Sequence, residues 1–342
     1  MRVAIRTDAN LEIGTGHLMR CLALAHRLRA RGAQTLFVCA ELHERLREHV
    51  KSQGFGLRQI DRTADWQADA AGTEAAIAGE GVIELLVVDH YQLDARWERR
   101  LRKFARRLFV IDDLANRPHD CDVLLDSNLH DDPTARYSGL VPEGARVFVG
   151  PQYALLREEF EAAEPRLRNQ GLRRLLVFFG GTDQGNEALK VAHALRGMQE
   201  APLARFVLGP ANPHLESVRA AAQGLPGVEI FDATNQMAQL IEWADLGIGA
   251  CGGAAWERCL LGLPTLVVVT ADNQRDDARM LDALGAARLL GEAADVDAAR
   301  WAAEIHGLQQ DAQALERMSA ASLAVIKGRA PAIRELEASL VD

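Results

Sequence analysis

Short apolar runs, each followed by a stretch of helical periodicity, recur along this sequence and limit its fold more than any other feature. In the first half they are Arg2 to Ile5, Thr35 to Cys39, Leu85 to Asp89, Leu108 to Asp112, Val123 to Asp126 and Arg146 to Val149. Helices are expected between them, over Glu41 to Gln53 and Asp94 to Ala105. Strands that are apolar on both sides are covered on both faces, so the runs read as a parallel sheet with helices packed on each side. A charged, helix-prone segment from Pro151 to Gly171 intervenes. The pattern then resumes with Leu175 to Phe179, Arg205 to Leu208, Val228 to Phe231, Leu246 to Ile248 and Thr265 to Val269. Two doubly wound α/β domains in tandem fit the length. The expected boundaries are 1–150 for the first domain, 151–171 for a linker, 172–330 for the second and 331–342 for a C-terminal helix at the domain junction.

Composition narrows the function classes. A net charge of -9 without a basic run argues against a nucleic-acid surface. No apolar run reaches the roughly 18 to 20 residues that span a bilayer, and no signal-peptide pattern precedes the first strand, so a cytoplasmic protein is expected. Cys21, Cys39, Cys121, Cys251 and Cys259 lack CxxC spacing and read as reduced thiols, mostly small core residues.

In doubly wound sheets, ligands gather at the carboxyl ends of the strands. After the first strand comes Gly14, Thr15, Gly16, His17, and then Leu18, Leu22, Ala25 and Leu28 on one helical face, stopped by Gly32. The glycines permit a tight turn or close ligand approach, and His17 falls at the positive end of a helix dipole, a setting that suits a general base. A surface or capping histidine fits the same pattern. Met19 stands where a dinucleotide fingerprint needs glycine or alanine, and no P-loop lysine follows. Asp89, His90 and Tyr91, then Asp112 and Asp113, end neighbouring strands; Asp113 is expected to cap a helix or bond loop backbone. Leu93 and Trp97 anchor the helix after Asp89.

In the second half, Gly249, Ala250, Cys251, Gly252, Gly253, Ala254 and Ala255 form a turn of small residues before Trp256 and Glu257. Open backbone N–H groups there can receive a diphosphate, and Glu257 a ribose diol; a packing turn with a solvated Glu257 is the alternative. Asn273 and Gln274 can bond sugar hydroxyls or amides, or serve as a cap and a surface residue. His43, Glu44 and His49 miss the spacing of a zinc helix, and nothing in the spacing of Asp112, Asp113, His119, Asp122, Asp126 and His130 demands a metal, so neither metal nor cofactor is expected. No GxSxG elbow is present.

Taken together, GTGHLMRCLALA (14–25), VVDHYQLDARWE (87–98), IDDLANRPHDCDVLLDSN (111–128), PQYALLREEF (151–160), FFGGTDQGN (178–186) and WERCLLGLPTLVVVTADNQ (256–274) resemble one family closely. It is the UDP-2,4-diacetamido-2,4,6-trideoxy-β-L-altropyranose hydrolase family of pseudaminic acid biosynthesis. The resemblance implies an α/β fold of two tandem Rossmann-like domains with parallel sheets, GT-B-like, with the active site in the interdomain cleft. It further implies metal-independent, inverting hydrolysis, with His17 as catalytic base. Gly14, Gly16, Asp89, Tyr91, Asn273 and Gln274 would meet the sugar, and Gly181, Ala250, Cys251, Gly252, Gly253 and Glu257 would hold UDP. The expected partner is a small UDP-sugar, with no nucleic acid or membrane; the oligomeric state is open. Cys251 and the alanines after Gly253 depart from the family's hydroxyl-bearing GAGGS-like turn. A transferase on the same scaffold, a non-catalytic UDP-sugar sensor and an NAD enzyme holding ribose on Glu41 are the alternatives.

Overall fold

Alternate residues of the central strands of the first sheet are buried on opposite faces. Val3, Ile5, Leu85 and Val87 join one core, while Ala4, Leu86 and Val88 join the other. The structure is a computed structural model and describes residues 1–10, 14–209, 212–232 and 234–341. Asp342, the end of the expected C-terminal helix, lies outside the described residues.

The chain begins β1 (Arg2–Thr7), α1 (Gly16–Ala30), β2 (Gln34–Cys39), α2 (Glu44–Ser52), β3 (Gly56–Gln59) and α3 (Trp66–Ile77). It continues with β4 (Ile83–Asp89), α4 (Ala95–Leu101), β5 (Ala105–Ile111), β6 (Val123–Asp126) and β7 (Arg146–Val149). Among the described residues the sheet order is β3-β2-β1-β4-β5-β6-β7, with every pairing parallel. The order reverses direction between β1 and β4, which makes their carboxyl ends a topological switch point.

The second series is β8 (Arg174–Phe178), α5 (Glu187–Gly197), β9 (Leu203–Val207), α6 (Leu215–Ala222), β10 (Val228–Phe231) and α7 (Met237–Trp243). It goes on through β11 (Leu246–Ala250), α8 (Ala254–Leu260), β12 (Thr265–Val269), α9 (Arg275–Ala283), β13 (Ala287–Glu292), α10 (Ala298–Gln309) and α11 (Ala312–Val325). This sheet is also parallel, in the order β10-β9-β8-β11-β12-β13, with its switch point between β8 and β11.

The chain divides into two compact units, Met1–Glu158 with Gly328–Asp342, and Glu159–Lys327. The last helix, α12 (Arg329–Val341), sends Ile333, Leu336 and Leu340 into the core of the first unit. Its Glu337 pairs with Arg27 and Arg31 of α1 at 2.8 and 2.5 Å.

Several elements differ from the sequence expectations. The helix expected from Glu41 starts at Glu44, because His43 caps it by accepting the Arg45 N–H; Glu41 bonds Asn10 and Arg62. Pro151 to Gly171 holds only two short 3-10 turns, Pro151–Tyr153 and Glu158–Phe160. Pro165 interrupts its helix periodicity, and Arg166 and Arg168 bind carbonyls at the end of α7. Trp97 acts as the expected anchor, fully buried with its indole N–H on Asp69 at 2.9 Å.

Candidate active site

Gly14 adopts φ +80°, a conformation that favours glycine, and donates to the Asn10 carbonyl at 2.9 Å. A Cβ on Gly16 would meet only open space, so that glycine leaves room over the start of α1. The first turn of α1 then directs His17, Arg20 and Cys21, spaced to share one helix face, at Asp89. Asp89 ends β4 and is the register partner of Thr7 in β1, so the cluster sits at the first unit's switch point.

His17 Nδ1 lies 2.5 Å from Asp89 Oδ1. Arg20 grips the same carboxylate with Nε at 2.7 Å and Nη2 at 2.6 Å, and reaches Asp113 Oδ2 with Nη1 at 3.1 Å. The Cys21 thiol adds a contact at 3.4 Å. Burial works to raise the Asp89 carboxyl, but Arg20 and His17 outweigh it and hold the group well below the usual carboxylate range. Arg20 Nη2 also stands 3.1 Å from Nδ1. An ionised carboxylate only accepts, so the shorter 2.5 Å contact with Asp89 is made through an Nδ1 hydrogen, and in that tautomer a neutral ring keeps its lone pair on Nε2. Tyr91 packs edge-on against the imidazole with ring centroids 4.6 Å apart. Burial, together with Asp113, pushes the Tyr91 hydroxyl above its usual range, so it stays a neutral donor.

The neighbouring acidic pair exchanges the roles expected from sequence. Asp112 accepts the Ala115 N–H at 2.9 Å and pairs with Arg117 at 2.7 Å, whereas Asp113 faces Arg20. β5 stops at Ile111, and the fully buried Asp112 turns under the loop. Beside it, His119 Nδ1 meets Glu98 at 2.7 Å, while Nε2 stands 3.8 Å from Asp112, an ion-pair spacing too long for a hydrogen bond. Burial works to lower the imidazolium, but the two carboxylates prevail and lift it to about 9. A raised imidazolium stabilises the fold fully below its unfolded value near 6.5, and that contribution is lost as the pH rises through about 9. Thermal melts of the wild type are therefore expected to lose on the order of 2–3 kcal/mol of stability from pH 6.5 to above 9. His119→Gln should lack this part of the slope; identical slopes would contradict the pairing. Among the described residues no group of three or more His, Cys, Asp or Glu is placed to hold a metal ion.

In the second unit, Gly249 is fixed by close approach, since a Cβ there would lie 2.2 Å from the Phe178 carbonyl of β8. Ala250 and Cys251 are buried, Gly252 and Glu257 half-buried and Gly253 exposed. No side chain caps α8, whereas at α5 Asp183 accepts the N–H groups of Glu187 and Ala188 at 2.9 and 3.0 Å. α8 has only seven residues, so the dipole expected at this turn is short. Burial pushes the Cys251 thiol up to about 12, leaving it neutral. Gly181 lies in the loop after β8, pressed so closely against Gly209 that a Cβ on Gly209 would overlap it. Gln274 approaches the turn, its Nε2 3.7 Å from where a Gly252 Cβ would be, and accepts from Thr270 at 2.9 Å. Asn273 is exposed in the 3-10 turn Asp272–Gln274. Arg20 and Arg258 escaped the sequence reading; Arg20 is detectable there, one helical turn beyond His17 on the same face.

The model of the glycosyltransferase family 28 C-terminal domain matches residues 147–335. The chain belongs to this family. Beyond the family domain, it is 26% identical over 284 residues to the UDP-2,4-diacetamido-2,4,6-trideoxy-beta-L-altropyranose hydrolase of Campylobacter jejuni, covering 82% of this chain and 96% of that one. That similarity bears out the resemblance carried by the motifs. It is also 26% identical over 304 residues to the spore coat polysaccharide biosynthesis protein SpsG of Bacillus subtilis, covering 85% and 84% of the two chains. The crystal structure of Acinetobacter baumannii MurG superposes with a TM-score of 0.66 at 16% identity, over 99% of this chain and 100% of that one. At that identity the likeness shows the fold: this family 28 member has the α/β GT-B architecture of two Rossmann-like parallel-sheet units. Among the described residues no helix is long and apolar enough to cross a membrane.

Proposed function

We propose that the chain is a UDP-sugar hydrolase acting on UDP-2,4-diacetamido-2,4,6-trideoxy-β-L-altropyranose or a close relative. The observation that carries this reading is the 2.5 Å contact between His17 Nδ1 and the buried Asp89 carboxylate, which leaves Nε2 as a proton acceptor. Water attacks the anomeric carbon, His17 Nε2 takes its proton, and the bond from that carbon to the diphosphate oxygen breaks with its electron pair leaving on UDP. Attack opposite the leaving group inverts the configuration. The step uses no metal. In the first unit Gly14, Gly16 and Tyr91 meet the sugar and Asp89 orients His17; in the second, Asn273 and Gln274 bond sugar hydroxyls or amides. The Ala250–Gly253 turn and Gly181 receive the diphosphate through backbone N–H groups, and Glu257 accepts from the ribose diol.

Glu257→Ala is expected to weaken UDP binding about ten-fold while kcat changes little, since a ribose contact is made equally in the ground and transition states. Titration with UDP checks this, and unaltered affinity would move the ribose site elsewhere. The family's transferase character favours one second reading, transfer of the sugar to an organic acceptor. UDP release that needs such an acceptor would establish it.

A further inference from the structure

β11 reads Leu246, Gly247, Ile248, Gly249, Ala250, so its two glycines share a face. A Cβ on Gly247 would stand 3.2 Å from Arg258 Cδ, and one on Gly249 3.2 Å from Arg258 Nη1. The arginine therefore lies along the strand face the glycines leave bare. It runs toward the carboxyl end, where Nη2 donates to the Ala250 carbonyl at 2.6 Å. Arg258 is 4% exposed and its Nε–H has no partner. Among the described residues the bond to Ala250 is its one hydrogen bond, and it forms no ion pair.

Other arginines are matched differently. Buried Arg6 has Asp8 and Asp69, half-buried Arg20 has Asp89 and Asp113, buried Arg168 is surrounded by the carbonyls of Arg166, Ile241, Ala244 and Leu261, and buried Arg329 donates to the Ala154 carbonyl. A guanidinium removed from water without an acid is a standing cost that a bound anion relieves. Burial draws Arg258 below its usual range, and Cys251, Cys259 and Glu257 offset this only in part. The group also lines a narrow pocket beside Leu176, Phe178, Met237, Ile241, Ile248 and Glu257.

We infer that Arg258 is the resident counter-charge for an anionic ligand at the Ala250–Gly253 turn, a positioning residue that fixes the Ala250 carbonyl and sets a cation behind a nucleoside diphosphate. The inference rests on the reading that this turn receives the diphosphate of UDP.

The test is titration of the wild type, Arg258→Met and Arg258→Gln with UDP and, separately, with uridine. UDP affinity is expected to fall about ten-fold or more in both variants, with uridine affinity unchanged. UDP binding as tight as in the wild type would overturn the inference, and so would an equal loss for UDP and uridine, which marks packing alone. If neither variant folds, the wild type melted with inorganic pyrophosphate decides: a rise in Tm that uridine does not match supports a resident cation, and no rise overturns it. A wild type that binds neither UDP nor uridine would instead remove the underlying reading of the turn.

Discussion

Replacing His17 by asparagine is expected to lower kcat about a thousand-fold while UDP affinity stays within about two-fold, because a general base contributes to the transition state and little to ground-state binding. Asparagine keeps a hydrogen-bonding amide near Asp89, so the carboxylate remains partnered, but it has no lone pair able to take a proton from water. His17 is buried, at 6% exposed, but stands outside the apolar core of the first unit, so the shorter side chain removes few apolar contacts. The measurement is steady-state release of UDP beside a UDP titration. Hydrolysis at the wild-type rate would remove His17 from the mechanism.

Asp89→Asn is the second large effect. The amide keeps the shape of the carboxylate but loses its charge, and with it the reason for the Nδ1–H tautomer of His17. An asparagine NH2 turned toward the ring would place the lone pair on Nδ1 and the hydrogen on Nε2, the wrong arrangement for a base. A fall in kcat of about a thousand-fold or more is expected from this change of tautomer. The substitution also leaves Arg20 without its main counter-charge, so a loss of about 3–5 kcal/mol of stability accompanies it. The two effects separate when kcat is expressed per folded molecule at low temperature. A normal kcat on the folded fraction would mean that Asp89 only holds the fold together.

Much of the architecture was legible because apolar runs declare buried parallel strands directly. Val123–Asp126, Arg146–Val149, Val228–Phe231 and Thr265–Val269 fall at the bounds expected from sequence. β3 and β13 escaped because they are partly exposed and mixed in polarity, as in Gly-Leu-Arg-Gln, whereas the edge strands β7 and β10 keep enough apolar residues to be read. His17 was visible at a helix start and Asp89 at a strand end, but their pairing depends on β4 lying beside β1, a non-consecutive neighbour in the sheet. The exchange between Asp112 and Asp113 turns on the last residue of one strand, which apolar periodicity does not resolve. Arg258 was hidden for a different reason. An arginine after Glu257 in a helix reads as a solvated face, and only the bare strand beneath it, made by Gly247 and Gly249, shows where the side chain goes.

The most direct test of hydrolysis at the anomeric carbon is incubation of the pure protein, with EDTA, with UDP-2,4-diacetamido-2,4,6-trideoxy-β-L-altropyranose in oxygen-18 water, followed by mass spectrometry of UDP and the free sugar. The label is expected in the sugar, with unlabelled UDP released at the same rate. Label in the phosphate would place the attack on phosphorus and contradict the role given to His17, and a complete lack of products would contradict hydrolysis itself.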